Sequence, residues 1–310
     1  MQIKNTLQNI KEKSVKTQNL LKSDFMANIE HVQLKHIEIT DRFRDSECLF
    51  NGDYCFGNLF AWGGVFNTHL CFEGDMYTAV AEISNNRLLI GYPIGTGDKK
   101  TLVKNLAKYA VDHGRTPVVG LVPGCLIEKA SRDLEGVVTF KRERNSDDYV
   151  YLTEKLIDLS GDELHSKKNM LNSFLKNDFI YEEINRENIL QAKVFCLEKC
   201  FTADEKVVTE RFFDNFKALD LNGAVLKIQG QIVAATVGEC RENTVIIHTE
   251  KAEKDVRGAY AAINNLFLKN SMSHTVYVNR EDDMGLENLR KAKLSYKPEF
   301  MIEKYIGCFE

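Results

Sequence analysis

From His31 onward the chain states one order of elements twice, and this doubling constrains the fold more than any single motif. In the first half, R-L-L-I-G-Y-P-I-G (87–95) predicts a buried strand, G-T-G-D (95–98) a tight loop, and 99–114 a helix with Leu102, Leu106 and Ala110 inward and Gly114 as its stop. T-P-V-V-G-L-V-P (116–123) predicts the next strand, followed by a short helix near 126–134 and strands at 137–142 and 149–153. In the second half, T-V-I-I-H-T-E-K (244–251) is the strand, 252–258 the loop and 259–270 the helix. A strand at 274–281, a helix at 285–294 and a strand at 298–306 follow. Matching strands lie 156 and 158 residues apart.

Each half is preceded by a hairpin signal: M-Y-T-A-V-A-E-I-S-N-N-R-L-L-I (76–90) turns at Asn85-Asn86, and 224–239 turns at Gln229-Gly230. Antiparallel hairpins followed by a strand–helix–strand crossover predict mixed, mainly antiparallel sheets flanked by helices, an α+β chain and not a doubly wound parallel one. The expected organisation is an extension at 1–30, a first domain at 31–160, an interdomain helix at 161–180 and a second domain at 181–310.

Bulk properties remove several classes. Hydrophobic content of 44% against 28% charged is globular, and a net charge of −4 argues against a surface built wholly for nucleic acid. No apolar run reaches the roughly 20 residues of a membrane span, and no signal peptide is visible, so a cytoplasmic location is expected. The eight cysteines include no C-x-x-C, which predicts reduced, buried thiols in place of disulfides or zinc. Residues 1–23 carry five lysines and one acid on a helical apolar spacing. Such a helix either covers its own domain or makes a peripheral contact with an anionic membrane.

The predicted order of elements resembles that of the GCN5-related acyltransferase fold. In V-N-R-E-D-D-M-G-L-E-N-L-R-K-A-K-L-S-Y-K-P (278–298), Asn279, the helix 285–294, Tyr296 and Pro298 occupy places that correspond to that fold. This segment also resembles the signature of the phosphatidylglycerol lysyltransferase C-terminal domain family, as do C-F-G-N-L-F-A-W (55–62), 149–174 and I-I-H-T-E-K-A (246–252). The resemblance runs from about residue 33 to the C-terminus. It implies two tandem acyltransferase-like domains and transfer of an aminoacyl group from a charged tRNA to a lipid head group or another amine or hydroxyl acceptor.

Acyltransferases of this fold that use coenzyme A cradle its pyrophosphate on a glycine-rich loop at a helix N-terminus. The corresponding loop here, D-V-R-G-A-Y (255–260), places Arg257 and Gly258 as cofactor-binding candidates. Asp255 and Tyr260 replace the basic and small residues of the pattern, so coenzyme A is disfavoured and aminoacyl-tRNA suits the loop better. Lys291, Lys293 and Lys297, with Lys167 and Lys168, offer phosphate-binding cations, or a solvated helix face.

Period-two alternation puts His248 and Glu250 on one face of their strand, and a parallel neighbour would deliver Asn279 and Glu281 beside them. Carboxylates grouped with Arg280 suit a cationic amine, and Glu250 or Glu281 could serve as general base for the acceptor. Asp283 serves substrate binding or caps the following helix. Arg280 is either a ligand contact or the ion-pair partner of Glu250 or Asp282, and Lys251 has a similar choice. His248 is a substrate contact or a satisfied core histidine. Phe56, Phe60, Trp62, Phe66 and Phe72 pack a core or line an acyl pocket. The competing class is a non-catalytic binder of an amino acid, lipid head group or peptide on a degenerate acyltransferase fold.

Overall fold

Gln229 and Gly230 both adopt left-handed backbone, with φ of 50° and 77°, and turn the chain between strands β10 (Leu221–Ile228) and β11 (Gln231–Arg241). This is the expected two-residue hairpin. The computed structural model describes residues 29–44, 51–83 and 86–310, with side chains from 41–44 excepted. The basic segment 1–23 and Asn85 of the first hairpin lie outside the described residues.

The chain divides into two compact units. One comprises Asp53–Glu143 and Glu303–Glu310 with the described residues before position 50; the other comprises Arg144–Ile302 with residues 51 and 52. In the first unit the strands are β1 (Ile29–His31), β2 (His69–Glu73), β3 (Asp75–Ile83), β4 (Arg87–Gly91), β5 (Ile94–Thr96), β6 (Thr116–Pro123), β7 (Val138–Arg142) and β15 (Lys304–Phe309). They form one mixed sheet in the order β1-β2-β3-β4-β6-β15-β7, with β5 also on β3. Helices α1 (Ile37–Arg44), α2 (Phe56–Phe66), α3 (Lys99–Asp112) and α4 (Gly124–Asp133) belong to this unit. Asp98 begins α3 as its cap, accepting the Thr101 N–H at 3.0 Å, and Leu102, Leu106 and Ala110 are buried as expected. Phe56 and Phe60 stack in the buried face of α2, which fits the packing role.

The second unit contains β8 (Asp148–Leu152), β9 (Phe179–Glu183), β10, β11, β12 (Thr244–Ala252), β13 (Tyr277–Asn279) and β14 (Phe300–Ile302). Their order is β14-β8-β13-β12-β11-β10-β9. The helices are α5 (Thr153–Asp158), α6 (His165–Phe174), α7 (Ile189–Glu198), α8 (Ala203–Asp214), α9 (Ala259–Ser271) and α10 (Glu287–Leu294). Ala259, Ala262, Ile263 and Phe267 of α9 recur at helical spacing and pack with Leu171 and Phe174 of α6 and Val245 and Ile247 of β12.

Four expectations are corrected. The strand at 149–153, read as finishing the first half, pairs with β13 and β14 in the second sheet. The single strand at 298–306 is two strands in different sheets: β14 pairs with β8, and β15 returns to pair with β6 and β7. Local pattern marks a strand but not its partner, so an exchange of strands between repeats is invisible to it. The helix at 285–294 begins only at Glu287, because Met284 and Gly285 take left-handed backbone (φ 49° and 73°). Cys125 is disulfide-bonded, whereas Cys55, Cys71, Cys196, Cys200, Cys240 and Cys308 are free thiols.

Candidate functional site

The parallel pairing of β12 with β13 covers only Thr244–Ile246 against Tyr277–Asn279. Beyond it β12 runs on to Ala252 while the other chain leaves strand geometry at Glu281, whose φ is +57°. The polar run after β13 therefore emerges where two parallel strands part, and each of its side chains takes a separate course.

Asn279 is fully buried; its Nδ2 donates to Asp148 Oδ2 at 2.9 Å and its Oδ1 accepts the Glu281 N–H at 2.7 Å. Asp282 accepts the Met284 N–H at 3.2 Å. Asp283, also fully buried, accepts from Gly285 N–H, from the Tyr149 hydroxyl at 2.5 Å, and from both Nε and Nη2 of Arg290. Burial would raise its carboxyl, but the Arg290 and Tyr149 hydrogen bonds outweigh that and hold it near pKa 2. Its role is to shape the loop; the cap expected at the start of the helix is replaced by its backbone oxygen accepting the Leu286 N–H. Lys293 closes the loop from α10, donating to the carbonyls of Arg280 at 2.6 Å, Glu281 at 3.1 Å and Asp282. Burial lowers its pKa to about 8.

Glu281 and Arg280 diverge. The Glu281 carboxylate accepts from His248 Nδ1 at 2.8 Å, and Glu239 Oε2 lies 3.5 Å from the other ring nitrogen. His248 stacks on Phe212 of α8 with ring centroids 4.6 Å apart. Burial alone would push this imidazole down, but the Glu239 and Glu281 carboxylates on either side raise it to about 9, so it is an imidazolium at neutral pH. Burial likewise opposes ionisation of Glu239, yet His248 and Arg241 bring it to about 2.

Arg280 donates from Nη2 to Glu250 Oε1 at 2.6 Å, and Asn264 of α9 donates to Glu250 Oε2 at 3.1 Å. The guanidinium carbon lies 4.8 Å from the Tyr296 ring centroid and 5.8 Å from that of Tyr151. Nη1 of Arg280 is buried and has no hydrogen-bond partner. The Lys167 ammonium, from α6, stands 4.3 Å from the same Tyr296 ring, and burial followed by the Arg280 charge lowers its pKa. Tyr296 is pushed up to about 12 by burial, so it stays a neutral phenol.

His248 and Glu250 do not share a face. Val237 and Gly238 of β11 oppose Thr249 and Ile247, leaving His248 as the extra residue of a β-bulge. A bulge resets the alternation, so His248 meets α8 while Glu250 meets α9. The structure thus brings together Glu250, Arg280, Tyr296 and Lys167, and separately His248 with Glu281. Lys251 pairs instead with Glu205 of α8. Lys168 and Arg257 are exposed. Gly258 starts α9 at φ +85°, and a Cβ placed there would lie 2.1 Å from the Met170 carbonyl oxygen of α6.

Sequence reasoning missed Tyr151, Asn264, Glu239 and Arg241. Asn264 was detectable as a polar residue on the inward stripe of an otherwise apolar helix, and Tyr151 as the second aromatic of Y-V-Y at strand spacing. Glu239 carried no such mark, being an acid at a hairpin-strand end like many others.

Among the described residues no helix is long and apolar enough to cross a membrane. A relative 30% identical over 175 residues is an uncharacterized protein of Mycoplasmoides gallisepticum; the match covers 52% of this chain and 56% of that protein. A conserved protein of unknown function from Bacteroides thetaiotaomicron has a crystal structure with TM-score 0.83, 29% identity, and coverage of 92% of this chain and 100% of that one. The L-PGS of Bacillus licheniformis superposes with TM-score 0.58 at 17% identity, covering 87% and 91%. A tandem GNAT protein from the clavulanic acid biosynthesis pathway gives TM-score 0.51 at 9% identity, covering 91% and 98%. The expected fold of two tandem GCN5-related acyltransferase-like domains therefore holds. The family model for the C-terminal part of phosphatidylglycerol lysyltransferase matches residues 48–308, and with the splayed strand pair and its loop signature in place, the chain belongs to that family.

Proposed function

We propose that this protein transfers an acyl or aminoacyl group to an amine or hydroxyl acceptor at the parting of β12 and β13. The observation that carries the reading is Arg280: a buried cation at that parting, with one nitrogen committed to Glu250 and the other uncommitted. An uncommitted buried N–H is a costly feature unless a substrate group satisfies it. Family membership supports an aminoacyl-tRNA as donor and a lipid head group or other small molecule as acceptor. Use of a charged tRNA would require the cytosol, where such donors occur.

Glu250 is the carboxylate on the same face as Arg280, Tyr296 and Lys167, and it is the assigned general base. Each of its oxygens accepts one hydrogen bond and retains a lone pair for the acceptor's proton. Glu281 is the runner-up, committed to His248. Coenzyme A fits poorly as donor: the backbone of α6 rests on Gly258, where its pyrophosphate would be cradled.

The test incubates the purified full chain with labelled aminoacyl-tRNA and, separately, phosphatidylglycerol vesicles or small amines. Label should move to one acceptor class, and Glu250→Gln should lower turnover by about a hundredfold with little change in KM. Transfer from acetyl-coenzyme A alone would overturn the donor assignment. No transfer from any donor, with retained ligand binding, would favour the non-catalytic binder, a reading supported by the same covered Gly258 and by the engagement of both Glu250 oxygens.

A further inference from the structure

Two neighbouring amides on α9 are both buried, and the fold uses them differently. Asn265 donates to the carbonyls of Leu156 at 2.8 Å and Ile157 at 2.7 Å, which fastens α9 to α5. Asn264, 2% exposed, reaches across to a strand and donates to Glu250 Oε2 at 3.1 Å. Helix α9 is itself held in place. Ile263 and Phe267 are buried in the core, and its start at Gly258 lies against α6. The Asn264 amide is therefore presented from a rigid support.

Glu250 and Arg280 left to themselves would not keep the contact they have. A carboxylate beside a guanidinium is bound best as a fork of two parallel N–H···O bonds. Arg280 gives only Nη2 to Oε1, at 2.6 Å, and its Nη1 is buried without a hydrogen-bond partner. The guanidinium lies 4.8 Å from the Tyr296 ring centroid, so the carboxylate is the freer of the two. The last torsion of a glutamate is soft, and a turn about it would set Oε2 on a second nitrogen and satisfy the orphan. Among the described residues, the hydrogen bond that opposes this turn is the Asn264 amide on Oε2.

We propose that Asn264 is a positioning residue: by holding Oε2 it prevents Glu250 from closing a two-point fork on Arg280 and leaves Nη1 for the substrate. The proposal rests on the transferase reading given above and adds the group that keeps its base and its cation in working geometry. A closed fork would act twice. It would turn Oε2 away from the acceptor, whose proton Glu250 takes, and it would occupy the nitrogen that a substrate group satisfies.

Crystal structures of the full-length parent, Asn264→Leu and Asn264→Ala test the geometry without turnover. Leucine suits the helix and fills the position, and alanine serves if leucine overpacks it. Both variants should bring Glu250 Oε2 within about 3.2 Å of a second Arg280 nitrogen, while the parent keeps its one-point contact. In assays with labelled aminoacyl-tRNA and phosphatidylglycerol vesicles, each variant should lose about tenfold or more in kcat/KM, with kcat lowered and KM raised. Asn270→Ala, at an exposed amide in the last turn of α9, should leave both constants unchanged.

A purely structural Asn264 predicts fewer folded molecules, an unchanged KM and no fork. That result overturns the proposal, and so does a fork already closed in the parent. A fork in both variants with unchanged kinetic constants overturns it as well, because the turn would have no consequence for the reaction. If the parent transfers nothing while both variants close the fork, only the transferase reading falls, and Asn264 still sets the geometry of the pair. Transfer by the parent, with Glu250 unmoved in both variants, fells only the role of Asn264.

Discussion

Glu250 Oε1 lies 2.6 Å from Nη2 of Arg280, while Nη1 of the same guanidinium is buried without a hydrogen-bond partner. One guanidinium nitrogen is thus committed to the ion pair and the other is not. Both side chains are 12% exposed, deep enough for loss of one partner to strand the other's charge.

Arg280→Ala should therefore destabilise the protein by about 3 kcal/mol, and Glu250→Ala by a similar amount. The double variant Arg280→Met/Glu250→Gln should cost clearly less than the two single losses together, because it strands no charge. Urea denaturation of the three variants reads this coupling. Additive costs would mean that the two groups do not depend on each other.

Gly258→Ala tests the seat of α6. The position combines φ +85° with a backbone oxygen 2.1 Å from where the new Cβ would stand, so α6 must move or the backbone must strain. A loss of about 2–5 kcal/mol is expected. Gly230→Ala, also at positive φ but with open space around it, should cost less. Thermal melts of both variants make the comparison.

Lys293 and Lys291 share a helix but not a role. Lys293→Met removes the ammonium that ties three loop carbonyls and should cost about 2–4 kcal/mol. Lys291 has a side chain 75% exposed, and Lys291→Met should change stability by under about 0.5 kcal/mol. Equal, small effects in chemical denaturation would show that the loop holds its shape without Lys293.

The buried imidazolium gives a pH signature. His248 is raised from 6.5 to about 9, so its contribution is complete below pH 6.5 and is lost as pH rises through 9. Stability should fall by about 1.4 kcal/mol per pH unit across that window, and His248→Gln should abolish the slope. Lys293, lowered to about 8, acts in the opposite sense above pH 8, so the window from 6.5 to 8 isolates His248. At the acid end Glu239 and Asp283, both held near 2, lose their contributions as pH falls from about 4.5 toward 2. Denaturant midpoints measured across pH for the parent and His248→Gln decide the matter.

Local alternation, turn chemistry and capping were enough to read the doubled α+β plan, the Gln229-Gly230 hairpin, and helices such as α3 and α9 almost to their ends. These depend on interactions between near neighbours, which a sequence carries openly. Tertiary structure decided what lies beyond that range. Strand β15 belongs to the first sheet and β8 to the second because pairing partners are chosen by the folded chain, not by adjacency. One extra residue at His248 turned Glu250 toward α9 and Arg280, splitting a presumed cluster in two. Lys167 reached Tyr296 across 129 residues of chain because α6 packs on the start of α9, a contact that only a glycine at 258 permits. Residue types announced a polar segment after β13; which partner each of its charged side chains takes was decided by the fold.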